Sequence, residues 1–106
     1  MMNNLEDLRE QLPDDQDIYN LAEFFKMFGN PTRAKILYCL HLRDLYVGEI
    51  AGVLKMSISA VSHQLWILRA AKLIKCVKEG KEVKYSLDDD HVNQIMACGL
   101  THVKEQ

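Results

Sequence analysis

Residues 46–71 read Tyr46-Val47-Gly48-Glu49-Ile50-Ala51-Gly52-Val53-Leu54, then Lys55-Met56-Ser57, then Ile58-Ser59-Ala60-Val61-Ser62-His63-Gln64-Leu65-Trp66-Ile67-Leu68-Arg69-Ala70-Ala71. In the first block Val47, Ile50, Ala51 and Leu54 recur at helical spacing, which predicts a short helix over about 46–54. In the last block Ser57 or Ser59 can cap a helix that turns Val61, Leu65 and Leu68 inward until about Ala71. The remaining face of that helix shows Ser59, Ala60, Ser62, His63 and Gln64. Two helices joined by a three-residue turn, the second with a small polar face, predict a helix-turn-helix.

The flanking sequence extends this reading in both directions. Upstream, Ile18, Leu21, Ala22, Phe25 and Phe28 lie at helical spacing and Gly29 supplies a stop. Asn30-Pro31 then places a capping side chain before a proline at the first helical position, opening a helix with Ile36, Leu37 and Leu40 inward and an end between 41 and 44. Downstream, residues 74–78 and 82–87 alternate in the manner of strands around the turn Glu79-Gly80-Lys81. A last helix starts near Asp88–Asp90, where acidic groups suit the positive end of the helix dipole, and carries the stripe Val92, Ile95, Met96, Gly99 and Val103. Gly99 would let a partner helix approach closely. The fold class is therefore mostly α with a small β-hairpin, in winged helix-turn-helix order. Residues 18–106 form the domain, and residues 1–17 form an acidic arm, broken by Pro13, that could help dimerisation.

The net charge of −2 averages three unlike segments. Residues 1–17 carry Glu6, Asp7, Glu10, Asp14, Asp15 and Asp17 against Arg9, and residues 88–106 carry Asp88, Asp89, Asp90 and Glu105 against Lys104. Between them, residues 18–87 hold 11 Lys/Arg against 5 Asp/Glu, an electrostatic footprint suited to DNA. The length suits one domain with a small core. There is no membrane-length apolar run and no signal-peptide order at the N-terminus, which predicts a cytoplasmic protein. Cys39, Cys76 and Cys98 are odd in number and widely spaced, giving no disulfide framework.

The C-terminal region contains D-x-H-x10-H-x2-E at Asp89, His91, His102 and Glu105. On a helix, 11 residues turn about 20° past three revolutions, so His91 and His102 share a face while standing about 16.5 Å apart along the axis. Zinc bonds to imidazole nitrogen are about 2 Å long, so one straight helix cannot close both histidines around one ion. Two such helices paired antiparallel about a two-fold axis bring His91 of one beside His102 of the other and create two equivalent sites. The motif thus predicts a homodimer together with a metal. Two imidazoles and two carboxylates form a borderline-hard set suited to Zn2+, with Co2+ also fitting. Asp89 must lie at the helix entry, because two positions along a regular helix would point it away from His91.

Three segments together resemble the bacterial ArsR/SmtB family of metal-sensing repressors. They are Phe28-Gly29-Asn30-Pro31-Thr32-Arg33-Ala34-Lys35-Ile36-Leu37, Ser59-Ala60-Val61-Ser62-His63-Gln64-Leu65 and Gly80-Lys81-Glu82-Val83-Lys84-Tyr85-Ser86-Leu87-Asp88. The resemblance covers nearly all of residues 18–105. Where the family's thiolate position has E-L-C-V-C-D-L, this chain has Asp44-Leu45-Tyr46-Val47-Gly48-Glu49-Ile50, with both cysteines missing. The family's C-terminal metal position is matched in all four ligands, which implies the zinc or cobalt branch.

The resemblance implies a repressor that binds double-stranded operator DNA as a dimer and leaves it when the metal binds. Ser57, Ser59, Ala60, Ser62, His63 and Gln64 would meet the major groove, with Lys78, Lys81 and Lys84 of the wing on phosphates. It also implies a bond from His102 to backbone near His63. Three other functions compete: a redox-responsive repressor using Cys76 and Cys98, a zinc-binding interaction module independent of DNA, and a zinc hydrolase. Four ligands close the metal position and no separate general base is evident, so the chain reads as no enzyme.

Overall fold

The computed structural model describes residues 4–106. Among these, six helices and three short strands follow in the order α1 (Asn4–Gln11), α2 (Asp15–Phe28), α3 (Pro31–Leu42), β1 (Leu45–Tyr46), α4 (Val47–Leu54), α5 (Ile58–Ala70), β2 (Ile74–Glu79), β3 (Glu82–Leu87) and α6 (Asp90–Lys104). Local chemistry sets most of these boundaries. Asp14 caps α2 by accepting from the Asp17 amide, so that helix begins three residues before Ile18, and Gly29 ends it. Asn30 accepts from the Arg33 amide at 3.0 Å, and Pro31 occupies the first turn of α3. The Arg33 guanidinium donates to the Met27 carbonyl at 3.0 Å and fixes the corner between α2 and α3.

The helix-turn-helix forms as its sequence predicts. Lys55 closes α4 in the left-handed region at φ 56°, and the Ser57 hydroxyl accepts from the Ala60 amide at 3.0 Å to open α5. Val61, Leu65 and Leu68 are buried against Ile36, Leu37 and Leu40 of α3 and Ile50 and Ala51 of α4. Leu73, Ile74 and Val92 close the same core from the sheet and from α6. Among the described residues, no helix is long and apolar enough to cross a membrane.

The wing is larger than a hairpin. β2 and β3 pair antiparallel from Ile74↔Leu87 to Glu79↔Glu82, with Gly80 at φ 63° supplying the turn. β1 adds a third strand on the other side of β3, with Leu45↔Tyr85 and Tyr46↔Lys84 in register. Tyr46, read from sequence as the start of the α4 helix, therefore belongs to the sheet. Two residues show no alternation, and only pairing with β3 makes them a strand.

Helix α6 is held to the body at its N-terminal half. The Asp88 amide donates to the Leu73 carbonyl at 2.9 Å, Val92 is buried, Met96 packs on the core, and His41 of α3 is hydrogen-bonded to Asn93. The C-terminal half is more open. Val103, on the apolar stripe of this helix, is 65% exposed, and a Cβ added at Gly99 would meet nothing within 4 Å.

Candidate nucleic-acid interface and metal-ligand halves

Helix α5 presents a face that the body of the protein leaves open. Ser57, Ser59, Ser62 and His63 are exposed, whereas Ala60 and Gln64 are half-buried. The Gln64 Oε1 is buried without a hydrogen-bond partner among the described residues, so this side chain lies partly against the core. Ser57 spends its hydroxyl as the helix cap. Two neighbours that the sequence reading omitted belong on the same face. Trp66 is 69% exposed and lies three residues beyond His63 and four beyond Ser62, and Arg69 is exposed one turn further on. Their spacing was a sufficient signal. Trp66 would pass as core by residue type alone.

On the wing, Lys78 and Lys81 are exposed beside the Gly80 turn, while Lys84 is half-buried with its Nζ 5.6 Å from the centre of the Tyr46 ring. The Tyr46 hydroxyl donates to Glu79 Oε2 at 3.0 Å, and its backbone amide donates to Glu49 Oε1 at 3.0 Å. The Glu79 hydrogen bond, with desolvation and neighbouring carboxylates, pushes the Tyr46 hydroxyl pKa up. The position that would need a thiolate thus carries a phenol tying the start of α4 to the wing.

Four candidate ligands occupy the two ends of α6. Asp89 is the N-cap, in extended backbone at φ −153° and ψ 179°, and its Oδ1 accepts from the amides of His91 at 2.9 Å and Val92 at 3.3 Å. That extended backbone leaves its Oδ2 3.4 Å from His91 Nδ1, as a ligand pair at a helix entry requires. The His91 side chain, then the Val92 and His91 amides, hold the Asp89 carboxyl below the usual carboxylate range. At the other end His102 and Glu105 are exposed, Glu105 is the C-cap residue, and His102 Nε2 lies 3.4 Å from Gln106 Nε2. Among the described residues, no three His, Cys, Asp or Glu side chains come together to hold a metal. One protomer brings Asp89 to His91 and keeps His102 and Glu105 at the far end of the helix. Both halves are solvent-facing and carry nitrogen and oxygen donors that suit zinc.

Cys39, Cys76 and Cys98 are free thiols. Burial pushes the Cys39 pKa up, which keeps it a neutral thiol.

A three-helix core, an exposed second helix of a helix-turn-helix and a β-wing define a winged helix DNA-binding protein. The same fold occurs in the homodimeric winged helix-turn-helix DNA-binding domain Mb0332 from Mycobacterium bovis, at a TM-score of 0.80 and 22% identity, covering 90% of this chain and 91% of that one. Residues 30–75 match the family described as bacterial regulatory protein, arsR family. A transcriptional repressor SmtB homolog from Synechocystis is 36% identical over 105 residues, spanning 96% of this chain and 80% of its own length. A cadmium resistance transcriptional regulatory protein CadC homolog from Staphylococcus aureus is 39% identical over 100 residues, spanning 93% and 78%. The chain belongs to the arsR family of bacterial regulatory proteins, which makes it a DNA-binding transcriptional regulator and not an enzyme.

Proposed function

We propose that this regulator is a zinc-responsive repressor, acting as a homodimer in the cytoplasm. In this reading Asp89 and His91 of one protomer, with His102 and Glu105 of its partner, hold Zn2+, or Co2+, at each end of a pair of antiparallel α6 helices. The observation that carries the proposal is the split of the four donors: a carboxylate and an imidazole 3.4 Å apart at one end of α6, and the second pair about 16.5 Å further along the same helix. A two-fold axis near the middle of the helix completes both sites at once. The relative from Staphylococcus aureus is named for cadmium resistance. Tyr46 and Gly48 provide no thiolates in this chain, which favours the harder nitrogen and oxygen set and zinc.

On DNA, Ser59, Ser62 and His63 with Ser57, Ala60 and Gln64 face the major groove, and Lys78, Lys81 and Lys84 serve the phosphates. A bound metal supplies a cross-link between the two α6 helices. Val92 and the His41–Asn93 hydrogen bond anchor α6 to α3, and α3 packs against α5 in the core. A change in the angle between paired α6 helices therefore changes the spacing of the two α5 helices. Zinc releases DNA only if it binds the non-matching spacing more tightly, and coupling of about 1–3 kcal/mol is typical. The test is a zinc titration of the protein bound to its own promoter DNA, followed by anisotropy. The expected result is release at about one zinc per protomer, lost in His91→Ala and His102→Ala. Tight zinc binding with no loss of DNA affinity contradicts the repressor mechanism, and release by cadmium alone contradicts the choice of metal.

A further inference from the structure

Helix α5 carries few side chains able to tell one base pair from another. In the major groove the strongest discrimination comes from Arg or Lys held bidentate to guanine and from Asn or Gln held bidentate to adenine. Between Lys55, which closes α4, and Arg69, near the far end of α5, the sequence has no Arg, Lys or Asn. Gln64 lies in that stretch, but its Oε1 is buried, so a two-armed bond to adenine is closed to it. Ser57 spends its hydroxyl on the Ala60 amide. The hydroxyls of Ser59 and Ser62 both donate and accept, so they suit any base. His63 can donate one N–H to a purine N7, an acceptor that adenine and guanine share. None of these groups separates A·T from G·C.

Ile58 is different in kind. It is the first residue of α5, directly after the Ser57 cap, and it is 57% exposed although large and apolar. The core takes Val61, Leu65 and Leu68 from this helix and leaves Ile58 outside. Exposed Ser62, one turn further on, is its neighbour on the surface. Ala60, the other small apolar side chain of the first turn, is half-buried and points about 160° away around the helix.

We infer that Ile58 packs against the C5-methyl group of a thymine and is the residue by which this protein tells A·T from G·C in each half of its operator. The inference rests on α5 entering the major groove, as proposed above, and adds the base that it reads. Thymine alone presents a methyl group there, and apolar side chains recognise it. A recognition helix brings its N-terminal residues to the base edges, and Ile58 stands at that end. Trp66, about 12 Å further along the axis, and Arg69, about 16.5 Å along, lie out toward the backbone. Contact with a methyl group removes apolar surface of both partners from water. The β-branched side chain is already stiff at χ1, so little rotamer freedom is lost when it docks.

The test starts from the inverted repeat that the full-length protein, without added zinc, selects most strongly from a random pool of DNA. Each thymine is then replaced in turn, in both half-sites at once, by deoxyuridine, which keeps every hydrogen-bonding group and lacks only the methyl. Anisotropy gives the affinity of the wild type and of Ile58→Ala for each duplex. At one thymine per half-site the replacement should weaken wild-type binding by about 10-fold, since two methyl contacts are lost. Ile58→Ala should bind the thymine duplex about 10-fold more weakly than the wild type and should no longer distinguish thymine from uridine at that position. Its melting temperature should stay unchanged, because Ile58 lies outside the core. A uridine penalty at no position, or a penalty of the same size in Ile58→Ala, overturns the inference. A protein that selects no DNA sequence overturns the groove reading of α5 and the inference with it, whereas sequence-specific binding without a methyl effect overturns the inference alone.

Discussion

Replacing Lys78 and Lys81 together with alanine removes two exposed ammonium groups from each wing while sparing the residues that build it. Across a dimer on an operator this deletes about four phosphate contacts, and each contact contributes about 0.9 to the slope of log K against log salt. The slope should therefore become shallower by about 3 to 4. Between 50 and 200 mM KCl, the wild type should lose about 100-fold more affinity than the double variant. Lys84 is a different case, because its ammonium sits 5.6 Å from the Tyr46 ring centre and its stem is half-buried. Lys84→Ala should change the slope by less than about 2 per dimer and should loosen the packing at β1. The assay is anisotropy of labelled promoter DNA titrated with protein at several KCl concentrations. Parallel salt plots for the wild type and the double variant would show that the wing does not touch the backbone, and the reasoning from exposed charge would fail.

Three further perturbations test the core, the helix entry and the reading face. Leu65 is 1% exposed, so Leu65→Ala should cost about 2–5 kcal/mol in urea unfolding at constant m; a loss under 1 kcal/mol would contradict its place in the core. Asp89→Asn should preserve the cap of α6, since asparagine caps as well as aspartate, yet weaken zinc binding by at least about 10-fold, whereas Asp89→Ala should lose both. Calorimetry with circular dichroism separates the two effects, and wild-type zinc affinity in the asparagine variant would exclude Asp89 as a ligand. The sign of its pH effect follows from the same contacts. The folded-state pKa is lowered, so the stability Asp89 lends is complete above about pH 4 and is lost as pH falls through that lowered value. Over that range the wild type should lose more stability than Asp89→Asn. Trp66→Ala should weaken operator binding by about 10-fold while leaving the melting temperature nearly unchanged, because the ring is 69% exposed; unchanged DNA affinity would remove Trp66 from the interface.

Much of the fold was legible because local chemistry and packing agree. Gly29, Asn30-Pro31 and Ser57 end or open helices by their own hydrogen bonds, and Val61, Leu65 and Leu68 are buried where their period places them. Strand β1 was illegible because its identity comes from Tyr85 and Lys84, about 40 residues away in sequence. The acidic arm before Pro13 shows no long apolar stripe, and an eight-residue helix stands there. The apolar stripe of α6 records which residues share a face, and not how much of that face one protomer covers: Val92 is buried and Val103 is exposed. At the candidate metal site, the spacing already required division between two ends of a helix. The structure adds the extended backbone at Asp89 that lets residues 89 and 91 meet. On the reading helix, residue type masked Trp66, and Gln64 gave no sign that its amide oxygen would be buried.

The division of each site between two chains can be tested by complementation. His91→Ala keeps His102 and Glu105, and His102→Ala keeps Asp89 and His91, so a mixed dimer of the two variants has one complete set of ligands and one set lacking both histidines. Each variant alone should bind no tight zinc. An equimolar mixture allowed to exchange subunits should recover about one tight site per four protomers, since about half its dimers are mixed. Calorimetric zinc titration of the three samples gives the answer: recovery at that level is the predicted result, and a mixture as inert as its components contradicts an interprotomer metal site.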